Sequence, residues 1–299
     1  MIANSAFVGR PKEFWAHVRL LSQEIGYVER VRRQKGVRGQ TGPIKVPTLA
    51  EQVAALGSLG LRTNHLVDES AQSTAFGRDL LEYFAYRAQV LNEHVRPRLM
   101  AVDQAKQLFD GLRKKFKSKR EAPTNKQGGE KKKPAYFTGI INMLIEANVN
   151  GLPCDYDPRV LTTVTRNDIP FRTLARRIDG AFPAPINPIA VWEIKEYYHT
   201  TTFGSRVADG VYESLLDGLE LEELRLETNN EITVQHYLMV DAHYTWWVKG
   251  RSYLCRIIDM LHMGYVDEVL FGSEVMERLP DIVQQWVNIA RATGLASGG

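Results

Sequence analysis

The sequence lacks the features of several broad classes of protein. It has two cysteines, Cys154 and Cys255, in 299 residues, too few for a disulfide framework or a cysteine-rich zinc site. No apolar run approaches the roughly 18 residues that a membrane-spanning helix needs. The first residues lack the basic and then apolar layout of a secretory signal peptide, and no GxxxxGK loop for nucleotide phosphates is present. These absences predict a cytoplasmic protein with no membrane partner and no nucleotide-driven motor.

Positive charge is concentrated in one short segment, residues 113–133. This basic segment holds ten of the 38 lysines and arginines and two of the 35 acidic residues, so the rest of the chain is net negative. Such a segment suits a phosphate backbone through counterion release, and Lys131, Lys132 and Lys133 are the predicted phosphate contacts. A solvated linker between two domains is the alternative interpretation, and the two are compatible.

The apolar spacing divides the chain into a helical part and a mixed part. Steps of three and four residues, such as Leu80, Phe84, Ala88 and Leu91, are typical of amphipathic helices. Beyond residue 134 the pattern predicts a helix, three strands, a helix, a strand, a helix and a strand. The fold class is therefore α/β (mixed α+β). The predicted parts are a helical N-terminal region (1–112), a basic linker or loop (113–133) and a mixed core with C-terminal helices (134–299).

Two predicted neighbouring strands end in charged residues. The run Ile-Ala-Val-Trp leads into Glu193-Ile194-Lys195, and the segment 174–179, read as the preceding strand, ends at Asp179. Residues i and i+2 of a strand share a face, so Glu193 and Lys195 are expected to project into the same cavity. Charges are costly to bury at the end of an apolar run unless they have a purpose. This context favours a catalytic site over a surface ion pair.

The residue types point to phosphodiester hydrolysis. That reaction requires neutralisation of charge on the phosphate and generation of hydroxide near neutral pH, and Mg²⁺ supplies both. Mg²⁺ takes hard oxygen ligands, typically one or two carboxylates, which Asp179 and Glu193 could provide. Lys195 could orient the attacking water or stabilise the developing negative charge.

The spacing resembles a known nuclease motif. Asp179, thirteen further residues and then Glu193-Ile194-Lys195, in this order of helices and strands, resemble the PD-(D/E)xK nuclease superfamily. Ile178 stands where the motif has proline. The resemblance covers roughly residues 134–272 and implies a restriction-endonuclease-like core, a central mixed sheet flanked by helices. It implies Asp179 and Glu193 as metal ligands, Glu146 from the preceding helix as a further ligand, and Lys195 as the catalytic lysine.

The resemblance also implies an activity. It points to a DNA endonuclease that depends on Mg²⁺, with Mn²⁺ as an alternative, and that acts in bacterial restriction or anti-phage defence. A homodimer or a partner subunit in a defence system is expected with it. Two alternatives remain open: a structure-specific or RNA-directed nuclease of the same fold, and a catalytically inactive nucleic-acid-binding subunit of a defence complex.

A polar segment directly follows the candidate site. Thr201, Thr202 and Arg206 lie at the start of the next predicted helix, where hydroxyl groups, a helix N-terminus and a guanidinium group suit a DNA phosphate. A polar loop with Thr202 as the helix N-cap is the alternative interpretation.

Overall fold

The structure is a computed structural model that describes residues 1–29, 42–125, 133–199 and 205–294. Within these ranges nine segments are α-helical: α1 (Lys12–Ile25), α2 (Leu49–Ser58), α3 (Ala75–Val90), α4 (Arg96–Arg98), α5 (Val102–Phe116), α6 (Tyr136–Asn148), α7 (Ser205–Glu227), α8 (Arg251–His262) and α9 (Val275–Ala292). None of the described helices is long and apolar enough to cross a membrane.

The described residues also form eight strands: β1 (Thr124–Asn125), β2 (Lys133–Pro134), β3 (Thr163–Arg166), β4 (Ile169–Thr173), β5 (Gly180–Phe182), β6 (Ala190–Glu196), β7 (Gln235–Asp241) and β8 (Glu268–Phe271). The pairs β1–β2 and β3–β4 form two small antiparallel sheets. The remaining four strands form the main sheet in the order β5-β6-β7-β8. The mixed α/β class predicted from the sequence is confirmed.

The chain folds into two compact units. The helical unit contains Ala3–Pro97 and Trp246–Met263, and the sheet unit contains Met1–Ile2, Arg98–Thr245 and Gly264–Gly299. The division therefore lies at residue 97, whereas the sequence placed the end of the helical region at residue 112. Helix α5 belongs to the sheet unit because its apolar face, including Phe109, packs into the same core as α6.

The helical unit has an aromatic core around a buried charge pair. Phe14, Tyr83 and Phe84 are fully buried. The guanidinium group of Arg87, which is 1% exposed, lies 3.0 Å from both carboxylate oxygens of Asp259 on α8. The Tyr83 hydroxyl donates to the same carboxylate at 2.6 Å. This pairing explains why α8, distant in sequence, belongs to the helical unit.

The main sheet lies between two layers of helices. Strands β5 and β6 are antiparallel, whereas β6–β7 and β7–β8 are parallel, with α7 as the connection from β6 to β7. Val191 faces Leu221 and Leu224 of α7. On the opposite face, Trp192 stacks on Trp286 of α9, with ring centroids 5.5 Å apart. The alternation along β6 therefore directs Glu193 and Lys195 towards α7.

The segment before β5 differs from the sequence prediction. The turn predicted at Asn167-Asp168 is present, with positive φ at both residues, and β4 begins directly after it. Residues 174–179, predicted as a strand, form no strand. The reason is that two of their backbone amides donate to side chains instead of a neighbouring strand: Ala175 to Glu220 and Asp179 to Glu193.

Two helices have bounds that differ from what their local sequence predicts. The apolar spacing predicts a helix from Pro11 to Arg33, but α1 ends at Ile25, because Gly26 adopts a φ of 104° that a continuing helix does not allow. Pro280 predicts a break in the C-terminal helix, but α9 continues through it. Buried residues on both sides of the proline, Leu279 and Ile282 among them, hold the helix against the core.

Candidate active site

The structure brings the three predicted catalytic residues together. Gly180 of β5 pairs with Trp192 of β6, so Asp179, just before β5, comes opposite Glu193. The Asp179 amide donates to Glu193 Oε1 at 3.2 Å, and the Ile194 amide donates to Asp179 Oδ2 at 2.7 Å. Lys195 Nζ donates to Glu193 Oε2 at 2.7 Å. The pairing of antiparallel strands and the two-residue alternation within β6 produce this proximity.

Three further charged residues complete the cluster. Arg176 Nη1 lies 2.6 Å from Asp217 Oδ2 and 2.9 Å from Glu193 Oε1. Glu213 lies 2.9 Å from Lys195 Nζ and 3.5 Å from Arg176 Nη2. We call this set the acidic cluster: Arg176, Asp179, Glu193, Lys195, Glu213 and Asp217. With all six groups ionised, four carboxylates face two cationic groups, which leaves an excess of negative charge.

Helix α7 approaches β6 closely enough to supply Glu213 and Asp217. A Cβ atom at Gly210 would lie 2.4 Å from the Tyr197 hydroxyl oxygen and 3.2 Å from Lys195 Cδ. The glycine therefore leaves the space that the lysine side chain occupies beneath the helix. Glu213 and Asp217 follow on the same face of α7, at spacings of about one turn.

The carboxyl groups of the cluster have divergent pKa values. Desolvation, together with the negative charge of Glu193, raises the pKa of Asp179 to about 7, although its side chain is exposed to a cleft on one side. Desolvation and Glu193 likewise raise the pKa of Asp217 to about 7. Desolvation also acts on Glu193, but Lys195 and Arg176 outweigh it and lower its pKa. Such separation of neighbouring pKa values is common at functional sites.

A cleft of about 880 Å³ opens beside the cluster in the sheet unit. Asp179, Glu213, Asp209, Arg120 and Arg206 contribute to its wall. Glu193 and Lys195 do not reach the wall and are 0% and 5% exposed. The cleft thus gives direct access to one predicted metal ligand, Asp179, while the second, Glu193, is buried in contact with Arg176 and Lys195.

Glu146 is not brought to the predicted metal site. Its carboxylate binds the Arg120 guanidinium group at 2.6 and 3.1 Å and lines a separate pocket of about 370 Å³. Glu146 lies near the C-terminal end of α6, whereas the N-terminal end of that helix reaches β6 through Thr138 and Glu196. Glu146 therefore lies about two helical turns beyond Thr138, the part of α6 that reaches β6, and its prediction as a metal ligand does not fit this position.

The predicted nucleic-acid contacts fall partly within the described residues. Arg206 is exposed in the first turn of α7 and lines the cleft. Lys133 is exposed on β2. Burial of His199, three residues after the end of β6, lowers the pKa of its imidazole, and the positive charge of Lys133 lowers it further. Lys131, Lys132, Thr201 and Thr202 lie outside the described residues. Arg120 and Pro123 before β1 and Ala135 just after β2 line the cleft, so residues on both sides of the second half of the basic segment lie at its wall.

Two more buried acids lie beyond the cluster, at the ends of β6 and β7. Glu196 accepts hydrogen bonds from the Thr138 amide at 2.9 Å and hydroxyl at 3.0 Å. Asp241, its register partner on β7, accepts from the Met100 amide at 2.7 Å and from the Tyr198 hydroxyl. Burial raises the pKa of Glu196 and of Asp241 to about 7.

These two raised pKa values predict a pH dependence of stability. The folded state binds more protons than the unfolded state between about pH 4 and pH 7, so each group's contribution is present at low pH and is lost as pH rises through 7. Each group lowers the free energy of unfolding by up to about 1.4 kcal/mol per pH unit in that window. In urea denaturation at several pH values, the free energy of unfolding should therefore decline less steeply with rising pH for Glu196→Gln and for Asp241→Asn than for the wild type. An unchanged slope in both variants, as in the exposed control Asp281→Asn, would contradict this.

Sequence reasoning missed Arg176, Glu213 and Asp217. A signal for the two acids existed, because Asp209, Glu213 and Asp217 recur every four residues and so share one face of α7. No comparable pattern marks Arg176, which lies in a segment without regular structure.

Comparison with known families places this site in a defined region. Residues 100–286 match the sequence profile of a family described as a domain of unknown function, DUF7687, over more than half of the chain. The chain belongs to the DUF7687 family. Residues 1–94 match the profile of a second domain of unknown function, DUF7690. No curated protein and no solved structure matches the chain. The acidic cluster lies wholly within the DUF7687 region.

The donor set of the DUF7687 region fits a hard divalent cation. Asp179 presents a carboxylate to the cleft, and Glu193 lies directly behind it. Mg²⁺ typically takes one or two carboxylates and fills its other positions with water or substrate oxygens. No group of three or more His, Cys, Asp or Glu side chains suited to an ion occurs in the described ranges. With all six groups ionised, the four carboxylates and two cationic groups leave two negative charges, which one divalent cation would neutralise.

Proposed function

We propose that this DUF7687 protein is a divalent-metal-dependent nuclease that hydrolyses phosphodiester bonds in DNA. The observation that carries the proposal is the contact of Asp179, Glu193 and Lys195 at one edge of a cleft, with Lys195 Nζ 2.7 Å from Glu193. The order of elements supports a restriction-endonuclease-like core. The antiparallel β5–β6 pair and the parallel β6–β7 pair make the main sheet mixed, in agreement with the central mixed sheet flanked by helices that the resemblance implies.

Three residues of the cluster have a defined task in this reaction. Asp179 and Glu193 would hold Mg²⁺. When bound, Mg²⁺ would supply charge neutralisation at the phosphate and activation of water. The negative charges of Glu193 and Asp179 outweigh burial and raise the pKa of Lys195, so its amine stays protonated near neutral pH. Lys195 therefore acts as a fixed positive charge that stabilises the transition state, and it does not accept a proton from water.

The cleft carries the features of a phosphate-binding surface. Arg120 and Arg206 lie on its wall, and Pro123 of the basic segment lies there too. The acids of the same wall, such as Asp209, would repel a polyanion unless a cation were bound between them. Cation binding and nucleic-acid binding should therefore be mutually dependent in this cleft.

The test is cleavage of supercoiled plasmid by the full chain. With Mg²⁺ we expect nicked and then linear DNA, no product with EDTA, and binding without cleavage when Ca²⁺ replaces Mg²⁺. Asp179→Asn should lower the rate of cleavage by about 10²-fold or more, because it removes the charge of the accessible metal ligand. Asp281→Asn, an exposed acid whose side chain is 71% exposed on α9, is the matched control. Absence of cleavage with every divalent ion tried would overturn the proposal.

One observation favours a second candidate, a nucleic-acid-binding subunit without catalysis. The Glu193 side chain is 0% exposed and contacts two cationic groups, as in a structural ion-pair network. The same assay separates the candidates, since this one predicts plasmid binding without nicking. Single-stranded RNA of equal length, assayed in parallel, tests whether RNA is the substrate.

A further inference from the structure

The carboxylate of Glu193 has no acceptor position left for a cation. A carboxylate offers about four lone-pair positions. Around Glu193, Oε1 meets the Asp179 amide at 3.2 Å and Arg176 Nη1 at 2.9 Å. Oε2 meets Arg176 Nη2 at 3.2 Å and Lys195 Nζ at 2.7 Å. A cation can bind Glu193 only if one of these donors leaves.

The four contacts of Glu193 differ in how easily they can be broken. The Asp179 amide is part of the backbone and is held by the pairing of β5 with β6. Lys195 comes from the same strand as Glu193, and its buried stem lies against Gly210 of α7. Arg176 lies outside any strand, is 24% exposed and provides two of the contacts. Departure of the Arg176 guanidinium group would therefore free one acceptor position on each of the two Glu193 oxygens.

The carboxylate of Asp217 can accept a further hydrogen bond from Arg176. Asp217 Oδ2 already lies 2.6 Å from Arg176 Nη1. Asp217 Oδ1 is fully buried and has no hydrogen-bond partner within the described part of the chain. A buried acceptor without a partner is costly. A rotation of the guanidinium group that brings Nη2 to Oδ1 would form the two-bond pairing that arginine and carboxylate favour.

We propose that Arg176 is a positioning residue that moves from Glu193 to Asp217 when a divalent cation binds. In the cation-free state Arg176 neutralises Glu193; in the bound state the cation takes over that role and Arg176 closes on both oxygens of Asp217. Each carboxylate thus keeps a cationic partner in both states. This inference rests on the proposed function, because it assumes that Glu193 is a ligand of the cation.

Calorimetric titration of Mn²⁺ into the full chain, without nucleic acid, tests the exchange. Asp217→Asn should weaken Mn²⁺ binding by about tenfold or more, because the two-bond pairing of Arg176 is lost. In an Arg176→Met background the same change should weaken binding by only about twofold to threefold, from the lost long-range charge. Arg172→Met, which removes a different arginine paired with α7 through Glu220 and Glu223, should leave the affinity unchanged.

A crystal structure of the wild type with Ca²⁺ gives a test that needs no variant. We expect Arg176 within hydrogen-bond distance of both Asp217 oxygens and no longer in contact with Glu193. Arg176 still on Glu193, or an equal effect of Asp217→Asn in both backgrounds, would overturn the exchange while the metal site stands. No Mn²⁺ binding by the wild type, and no Ca²⁺ in the crystal, would overturn the exchange and the proposed function together.

Discussion

Lys195→Met is expected to lower Mg²⁺-dependent cleavage by about 10²- to 10³-fold at saturating Mg²⁺, the usual effect of removing one preorganised donor from a transition state. Methionine keeps most of the buried stem of Lys195, so the packing against α7 should survive. The ammonium group that contacts Glu193 and Glu213 at 2.7 and 2.9 Å is what the change removes. The measurement is the rate of plasmid nicking over a range of Mg²⁺ concentrations.

The dependence on Mg²⁺ distinguishes a catalytic role from a role in binding. A lysine that stabilises the transition state lowers the rate at saturating Mg²⁺, whereas one that only neutralises Glu193 changes the Mg²⁺ concentration that is required. Lys106→Met is the matched control, because Lys106 is exposed on α5 and pairs with Asp110. Cleavage by Lys195→Met at the wild-type rate would remove Lys195 from the mechanism.

Arg87→Met is expected to destabilise the helical unit by about 3–5 kcal/mol, the usual cost of removing one partner of a buried ion pair. Arg87 is 1% exposed, lies 3.0 Å from both oxygens of Asp259 and donates to the Ser22 hydroxyl at 3.1 Å. Its loss leaves a buried carboxylate with the Tyr83 hydroxyl in place of a cation. The free energy of unfolding in urea measures the effect.

A double variant shows whether the cost comes from the charge left behind. In Arg87→Met/Asp259→Leu both charges are gone, so the loss of stability should be clearly smaller than in Arg87→Met. Arg78→Met is the control on the same helix, because the Arg78 side chain is exposed and donates to the Ser73 carbonyl. A cost below about 1 kcal/mol for Arg87→Met would contradict the assigned role of the pair.

Local patterns in the sequence predicted local structure well. The capping box at Thr48 and Glu51 and the apolar spacing of Leu80, Phe84 and Ala88 depend on contacts within about one helical turn. The shared face of Glu193 and Lys195 follows from the two-residue repeat of a strand. These predictions hold because the residues that decide them are near neighbours in the chain.

Contacts between distant segments could not be predicted in the same way. Arg256 and Asp259, three residues apart on α8, are predicted as a pair on one helix face. The structure instead directs Asp259 to Arg87 on α3 and places Arg256 over the ring of Tyr27. Burial decides this outcome, since a carboxylate inside the core requires a cation that is buried with it.

The same distinction between local patterns and distant contacts applies to the candidate site. The sequence alone determined that Glu193 and Lys195 would share one face of a strand, since the two-residue alternation suffices for that. Asp179 joins them through the pairing of β5 with β6, although residues 174–179 do not form the predicted strand. Only the tertiary structure decided that Arg176, Glu213 and Asp217 would join them and that Glu146 would not. Those positions depend on where α6 and α7 pack on the sheet, and packing is governed by the whole core.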